Sequence, residues 1–329
     1  MYSQFISFLF IIFIVLIRKT NSLGTHVVLN DGNKMPTIAI GTGGTGLTSR
    51  SMVEMIKNAV NSGYRHIDTA FIYNNEYEIG IALSELIDKK TINREDIFIT
   101  TKIWNTYHSY NRVREAVSES LTNLNVDYLD LVLINWPMGY KEGIDTEPLD
   151  QSGYVIPSSY DYLETWGTLE QLVSEGKIKS IGVSNFNSEQ LSRLLESAQI
   201  KPVVNQIESH PHLVQDKLID FCHKSNIHAT AYSPLGGGRL LYQTPELTKI
   251  ANKYKKSVAQ IMIKFQIERG LSVVPKSVVP QHIKENINVF DFTLSAEDIK
   301  QIKNLNHNIR YTIEEKAKNH IYYPFHNDY

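Results

Sequence analysis

From residue 25 onward, short apolar or β-branched runs alternate with longer stretches whose apolar residues recur at helical spacing. The runs predict strands over residues 37–41, 66–68, 97–102, 129–135, 178–183, 203–207, 228–232 and 272–275. The spacing between them predicts helices over 52–61, 76–86, 112–124, 162–175, 190–198 and 213–224. Strand and helix alternate with no Pro/Gly/Ser-rich linker, which reads as right-handed βα crossovers building a parallel sheet with helices outside. Eight such units in about 300 residues match the count and size of a closed (β/α)8 TIM barrel of the α/β class. A hairpin (26–29 with 34–36, turned by Asn30-Asp31-Gly32-Asn33) precedes them, placed to cap the barrel floor. Residues 24–329 therefore read as one domain.

The N-terminus follows a different pattern. Residues 5–17 (FISFLFIIFIVLI) are apolar apart from Ser7, and no polar face repeats through them. Even residues 1–17 span only about 25 Å as a helix, just short of a bilayer core. Positive charge usually precedes a secretory apolar region, whereas Arg18-Lys19 follows this one. That order fits an anchor whose C-terminal domain stays cytoplasmic. Thr20-Asn21-Ser22 nevertheless resembles a small-x-small cleavage site. Residues 1–23 are thus expected to target or anchor the chain to membranes, cleaved or retained. The matching locations are endomembrane-associated or secretory, with the cytosol as the alternative. The sequence holds no Asn-x-Ser/Thr acceptor, which counts against a lumenal life.

Composition narrows the function classes. At 42% hydrophobic and 21% charged, the 329 residues lie far from disordered or collagen-like ranges. Lys and Arg total 33 against 35 Asp and Glu, a net charge of −2. Without a basic field, nucleic acid is not an expected partner. The single cysteine, Cys222, forms no internal disulfide, so the fold rests on its core. A small-molecule partner and a monomeric state are the separate expectations.

One motif invites a different fold. Gly41-Thr42-Gly43-Gly44-Thr45-Gly46 matches G-x-G-x-x-G between a strand and a helix, and Asp68 ends the next strand. Taken alone this is a Rossmann fingerprint. Eight strand–helix units argue against it, and glycines in the first βα loop of a barrel need only mark an open rim. Asp68 also has other work. It ends one predicted strand, Lys102 ends the next, and Tyr73 lies in the loop between, so a barrel brings all three to its C-terminal rim. An ordinary Tyr, with a pKa near 10, is a poor proton donor at neutral pH. A lysine ammonium beside it is expected to lower that pKa, with an aspartate fixing the lysine. A phenol so tuned protonates a carbonyl oxygen as hydride reaches the carbon. Spacing alone equally allows a rim tyrosine beside a surface Asp–Lys pair.

The stretches GYRHIDTA (63–70), TKIWNTYH (101–108), GVSNFN (182–187), VVNQIESHP (203–211), AYSPLG (231–236) and VPKSVVPQHIKEN (274–286) occur together and in order. On these, residues 26–329 resemble the aldo-keto reductase family, close in layout to its aldose reductase group. The resemblance implies NADP(H)-dependent reduction of small aldehydes or ketones. Asp68, Tyr73 and Lys102 would be the catalytic acid and its tuners. Ser184, Asn185 and Gln206 would hold the nicotinamide carboxamide, with Tyr232 stacked on the ring. Ser233, Leu235 and Gly236 would line the pyrophosphate. Lys276 and Ser277 would hold the ribose 2′-phosphate, with Val278 and His282 beside them, and Glu285 and Asn286 the adenine.

Departures from the family pattern carry their own expectations. Asn135 stands where the family usually has a histidine that orients the substrate carbonyl. An asparagine still offers an N–H donor, set nearer the backbone, so a slower enzyme or an unusual substrate follows. Gly43 stands where relatives often place a tryptophan, which predicts a pocket open on that side with Trp104 and Trp136 as remaining aromatic walls. The run Gly236-Gly237-Gly238-Arg239 suggests a shortened loop over the cofactor. Val279 and His282 replace the usual Thr and Arg, which points to use of NAD(H) alongside NADP(H) or to weaker discrimination between them. Residues 322–326 resemble the C-terminal pocket loop. Asn135, Gly43 and the apolar N-terminus together also admit a non-catalytic NADP(H)-binding sensor or membrane-tethered partner on the same fold.

Other candidates read as structure. Glu208, His210 and His212 alternate in a metal-like pattern, yet lie within a family stretch, so no metal is expected. Cys222 reads as packing, His108 carries no assignment, and Glu314-Glu315-Lys316 reads as a solvated face.

Overall fold

The computed structural model describes residues 25–44, 46–238 and 244–326. The expected targeting segment (1–23), Arg239 and Thr45 lie outside these residues. A hairpin, β1 (His26–Val28) and β2 (Lys34–Pro36), opens the fold, pairing Val27 with Met35. Gly32, at φ 89°, supplies the left-handed residue of its turn. Parallel strands then alternate with helices: β3 (Ile40–Gly41), α1 (Ser49–Asn61), β4 (His66–Asp68), α2 (Glu76–Asp88), β5 (Phe98–Ile103), α3 (Tyr110–Leu124), β6 (Leu129–Ile134), α4 (Tyr162–Ser174), β7 (Ile178–Ser184), α5 (Ser188–Ser197), β8 (Val204–Glu208), α6 (Asp216–Lys224) and β9 (His228–Tyr232). Two helices, α7 (Pro245–Tyr254) and α8 (Val258–Glu268), precede β10 (Ser272–Val274), and α9 (Pro280–Ile287) and α10 (Ala296–Lys303) follow it.

Strands β3 to β10 pair in sequence order. The ring closes where Ala39 N–H donates to Val273 O at 2.9 Å, Val273 N–H to Thr37 O at 2.8 Å and Gly41 N–H to Pro275 O at 3.0 Å. An eight-stranded closed ring is the expected barrel and excludes the Rossmann reading of the glycine motif. The hairpin seals the floor, burying Leu29 and Met35 against Phe98, Leu131, Leu133, Val203 and Val204. Most of the remaining apolar side chains form one core between strands and helices, including Ile67, Ile99, Val132, Ile181 and Trp166. Cys222 belongs to it, fully buried, and burial pushes its thiol up to about 12.

The strand and helix expectations hold within three residues, the largest shifts being at the starts of β3, α1 and α6. Helix α6 starts at Asp216, not 213, because Leu213 bridges back to His210 and Gln215 is left-handed at φ 54°. The apolar spacing there comes from a buried turn feeding the helix: Leu213 and Val214 are 4% and 3% exposed. Among the described residues, no helix is long and apolar enough to cross a membrane.

Candidate active site

All the barrel strands deliver their chemistry at the same rim, as a closed parallel barrel requires. Asp68 ends β4, Lys102 lies near the end of β5, Asn135 follows β6, Ser184 ends β7, Gln206 lies in β8, Tyr232 ends β9 and Lys276 follows β10. Tyr73 closes a short 3-10 turn (Phe71–Tyr73) just after β4. The Asn75 amide clips that turn to the first βα loop, donating to Thr42 O at 3.0 Å and accepting from Thr69 Oγ1 at 3.2 Å.

Lys102 Nζ donates to Asp68 Oδ1 at 2.6 Å and to Thr69 O at 2.8 Å, both side chains buried. Gln206 Nε2 binds the other carboxylate oxygen at 2.7 Å. Burial opposes the Lys102 charge, but Asp68 and Tyr73 together outweigh it and raise the ammonium pKa. That ammonium sits 5.3 Å from the centroid of the Tyr73 ring. The surface-pair alternative is therefore excluded. The expected direction for Tyr73 is corrected: burial raises its pKa, and the pull of Lys102 does not overcome it. In this geometry the phenol keeps its proton at neutral pH, and Lys102 is set to stabilise the phenolate once the proton leaves.

The amide wall is preorganised. Asn185 Nδ2 donates to Asn135 O at 3.0 Å and to Ser184 Oγ at 3.2 Å. Its Oδ1 accepts from Tyr232 OH at 2.8 Å, and Ser184 Oγ donates to Gln206 O at 2.9 Å. Asn185 takes a left-handed backbone (φ 63°), which asparagine tolerates, and so does Ser233 (φ 47°). Asn135 is 8% exposed and its Oδ1 has no hydrogen-bond partner among the described residues.

These groups line one cavity of about 1090 Å³. Its wall holds Asp68, Tyr73, Lys102, Trp104, Asn135, Trp136, Ser184, Asn185, Gln206, Tyr232, Ser233, Leu235, Lys276, Ser277, His282, Glu285 and Asn286, nearly all the residues singled out from sequence. Two are placed differently. Gly236 is buried beneath the wall with its N–H on Ser233 O, and Val278 faces out at 39% exposure. Gly43 does line the cavity, but its space is taken by the phenol: a Cβ there would fall 2.7 Å from Tyr73 Cζ.

The sequence reading missed Ile72, Ser257, Thr312 and Glu314, which also face the cavity. Glu315 and Lys316 are exposed, as the solvated-face reading expects, but Glu314 turns to the cavity. No local pattern marks it, because a helix-free C-terminal segment brings it to the wall. That segment is held by Glu208, whose Oε1 and Oε2 accept the N–H groups of Tyr311 and Thr312, both at 2.9 Å. Oε1 also meets His210 Nε2 at 2.9 Å, so this part of the alternating triplet works as a clamp on the C-terminal segment.

A cavity this large exceeds what a small carbonyl compound needs and suits a dinucleotide plus a substrate. It offers amide donors and acceptors, a tyrosine wall and, beyond β10, a lysine. A nicotinamide cofactor therefore fits the residues present. A buried ion pair beside a protonated phenol on a barrel rim, opening on such a cavity, defines a barrel-type carbonyl oxidoreductase. The model of the Aldo/keto reductase family matches residues 37–307. Aldose reductase C of Dictyostelium discoideum is 46% identical over 302 residues, 89% of this chain and 93% of that protein. Aldo-keto reductase family 1 member A1-A of Danio rerio is 41% identical over 318 residues, 91% and 98% of the two chains. The solved aldose reductase of Schistosoma japonicum superposes with a TM-score of 0.88 at 39% identity, covering 92% of this chain and 99% of its own. The chain belongs to the aldo/keto reductase family. It is an oxidoreductase that acts on carbonyl groups with a nicotinamide cofactor.

Proposed function

We propose that this chain reduces aldehydes or ketones to alcohols with NADPH, using Tyr73 as proton donor. The observation that carries the reading is the Lys102–Asp68 pair, buried at 2.6 Å beside the Tyr73 ring. A bound nicotinamide dinucleotide supplies the hydride. Ser184, Asn185 and Gln206 would hold its carboxamide and Tyr232 its ring, while Ser233 and Leu235 would border the pyrophosphate. Lys276 and Ser277 would hold the 2′-phosphate, which favours NADPH over NADH, with Glu285 and Asn286 at the adenine. His282 at the same wall leaves NADH usable.

The chain's own work is acid catalysis and positioning. Tyr73 donates its proton to the carbonyl oxygen as negative charge develops there, and Lys102 stabilises the phenolate left behind. Asp68 keeps Lys102 in place, itself held by Gln206. Asn135 presents its amide to the same oxygen, from nearer the backbone than an imidazole would reach, so turnover is slow for the family.

NADPH oxidation against aromatic aldehydes and ketones tests this. Tyr73→Phe should lower kcat at least about 10²-fold, within the range of a lost general acid, while NADPH still quenches tryptophan fluorescence. Asn135→His should raise kcat about tenfold or more. Retained turnover in Tyr73→Phe sinks the proton-donor assignment. Tight NADPH binding with no turnover in either wild type or Asn135→His would show a cofactor-binding protein without reductase activity.

A further inference from the structure

Glu314 contributes a carboxyl group to the lining of the cavity. It lines the same cavity as Tyr73, Trp104, Asn135 and Trp136. It also lies close enough to act electrostatically on Tyr140, whose ring packs edge-on to Trp104 at 6.2 Å. Among the described residues, no hydrogen-bond donor or cation pairs with its side chain. Burial, and then Glu147, push the Glu314 carboxyl pKa up; Lys316, itself engaged by Glu147 at 2.5 Å, offsets this only in part, so a cation arriving in the cavity would relieve that penalty.

The other charges of the cavity do not cancel it. Asp68 and Lys102 neutralise each other, and Lys276, His282 and Glu285 follow β10 with the cofactor-facing residues. Glu314 is also held firmly in place. Its residue is left-handed (φ 46°, ψ 55°) at the start of a 3-10 turn (Glu315–Ala317), and Ala317 N–H closes on its carbonyl at 2.8 Å. Glu208 clamps the two N–H groups before it, and Tyr323 OH ties down Ile313 O at 2.6 Å. A carboxylate on a held backbone, in a cavity lined by tryptophans, is the chemistry that receives an organic cation, and it repels a carboxylate. Asn135, nearly buried in the same cavity with an unpartnered amide oxygen, adds an acceptor and no positive charge.

We infer that Glu314 makes this reductase selective for carbonyl compounds that carry a cationic, ammonium-type group, and against those that carry a carboxylate. The inference rests on the carbonyl-reductase reading and adds its substrate class.

Three para-substituted benzaldehydes of similar size test it with the full-length protein and NADPH: trimethylammonio, tert-butyl and carboxy. The kcat/KM of each is measured for wild type and Glu314→Gln. Intrinsic reactivity differs among the three aldehydes but is common to both proteins, so it cancels when their ratios are compared. The cation-to-carboxylate ratio should fall about tenfold or more in Glu314→Gln, mainly through KM, and the wild-type ratio should shrink in 0.5 M salt. Binding of benzyltrimethylammonium, followed by tryptophan fluorescence, should weaken about tenfold in the same variant. Ratios and binding that both stay within twofold overturn the inference. If no aldehyde turns over, the reductase reading has failed, and the binding comparison still decides whether Glu314 receives a cation.

Discussion

At position 43 a single missing side chain governs where the Tyr73 phenol can sit. A Cβ there would lie 2.7 Å from Tyr73 Cζ and 2.9 Å from Cε2, closer than carbon atoms pack, so any larger residue must displace the ring. Gly43 has no left-handed backbone to defend, so the constraint is the contact alone. The ring cannot yield freely, since its 3-10 turn is clipped to Thr42 by Asn75. Gly43→Ala should therefore lower kcat about 10- to 100-fold, the cost of moving a reacting group by a fraction of an ångström to an ångström. Melting temperature should stay within about 2 °C and NADPH affinity within about twofold. Steady-state kinetics beside a thermal melt check this, and unchanged kcat would mean that the phenol moves aside at no cost. The open side expected from the sequence is thus partly filled by Tyr73.

At the scale of elements, what was legible in sequence is what repeats locally. Strand runs and helical spacing gave the barrel because each βα unit carries its own pattern, and strand-end residues could be placed at one rim from topology alone. The helix start at Asp216 was not legible, since Leu213 and Val214 are buried by a turn and not by a helix. Glu314 was hidden for a related reason: its burial depends on Glu208, a hundred residues away in the sequence, grasping the backbone of Tyr311 and Thr312. The C-terminal tail is tied down by a similar long-range contact. Asp161 caps α4 through Leu163 N–H, takes both Arg193 nitrogens of α5 at 2.9 and 2.6 Å, and accepts from Tyr322 OH at 2.6 Å. Burial pushes its carboxyl up, but the bonds from Arg193, the Leu163 N–H and Tyr322 prevail and hold it below the usual range. A depressed folded-state pKa contributes stability above the unfolded value, near 3.9, and loses it as pH falls through the folded one. Asp161→Asn keeps a good cap and removes only the charge, so it should cost about 1–2 kcal/mol at pH 7. The gap to wild type should close below about pH 4, in urea melts run across pH. A gap that persists there would mean the loss was packing and not charge.

At the scale of the whole molecule, residues from 25 onward supply everything that closes the barrel. Thr37 and Ala39 bond Val273 across the seam, and the hairpin buries Leu29 and Met35 in the floor. The rim that carries the cavity lies at the opposite end of the barrel from that hairpin, so the described chain begins, at residue 25, on the side away from it. A chain beginning at residue 25 should then keep kcat/KM within about twofold and its melting temperature within about 2 °C. The apolar run at 5–17 has a separate consequence, for where the protein is found. Full-length protein should sediment with membranes and resist carbonate extraction, while the shortened chain stays in the supernatant. Intact mass then separates the two routes to a membrane. Retention of residues 1–22 marks an anchor, whereas a product beginning after Ser22 marks a cleaved signal. Intact full-length protein in the carbonate supernatant would remove the membrane role from the segment and leave the reductase prediction standing.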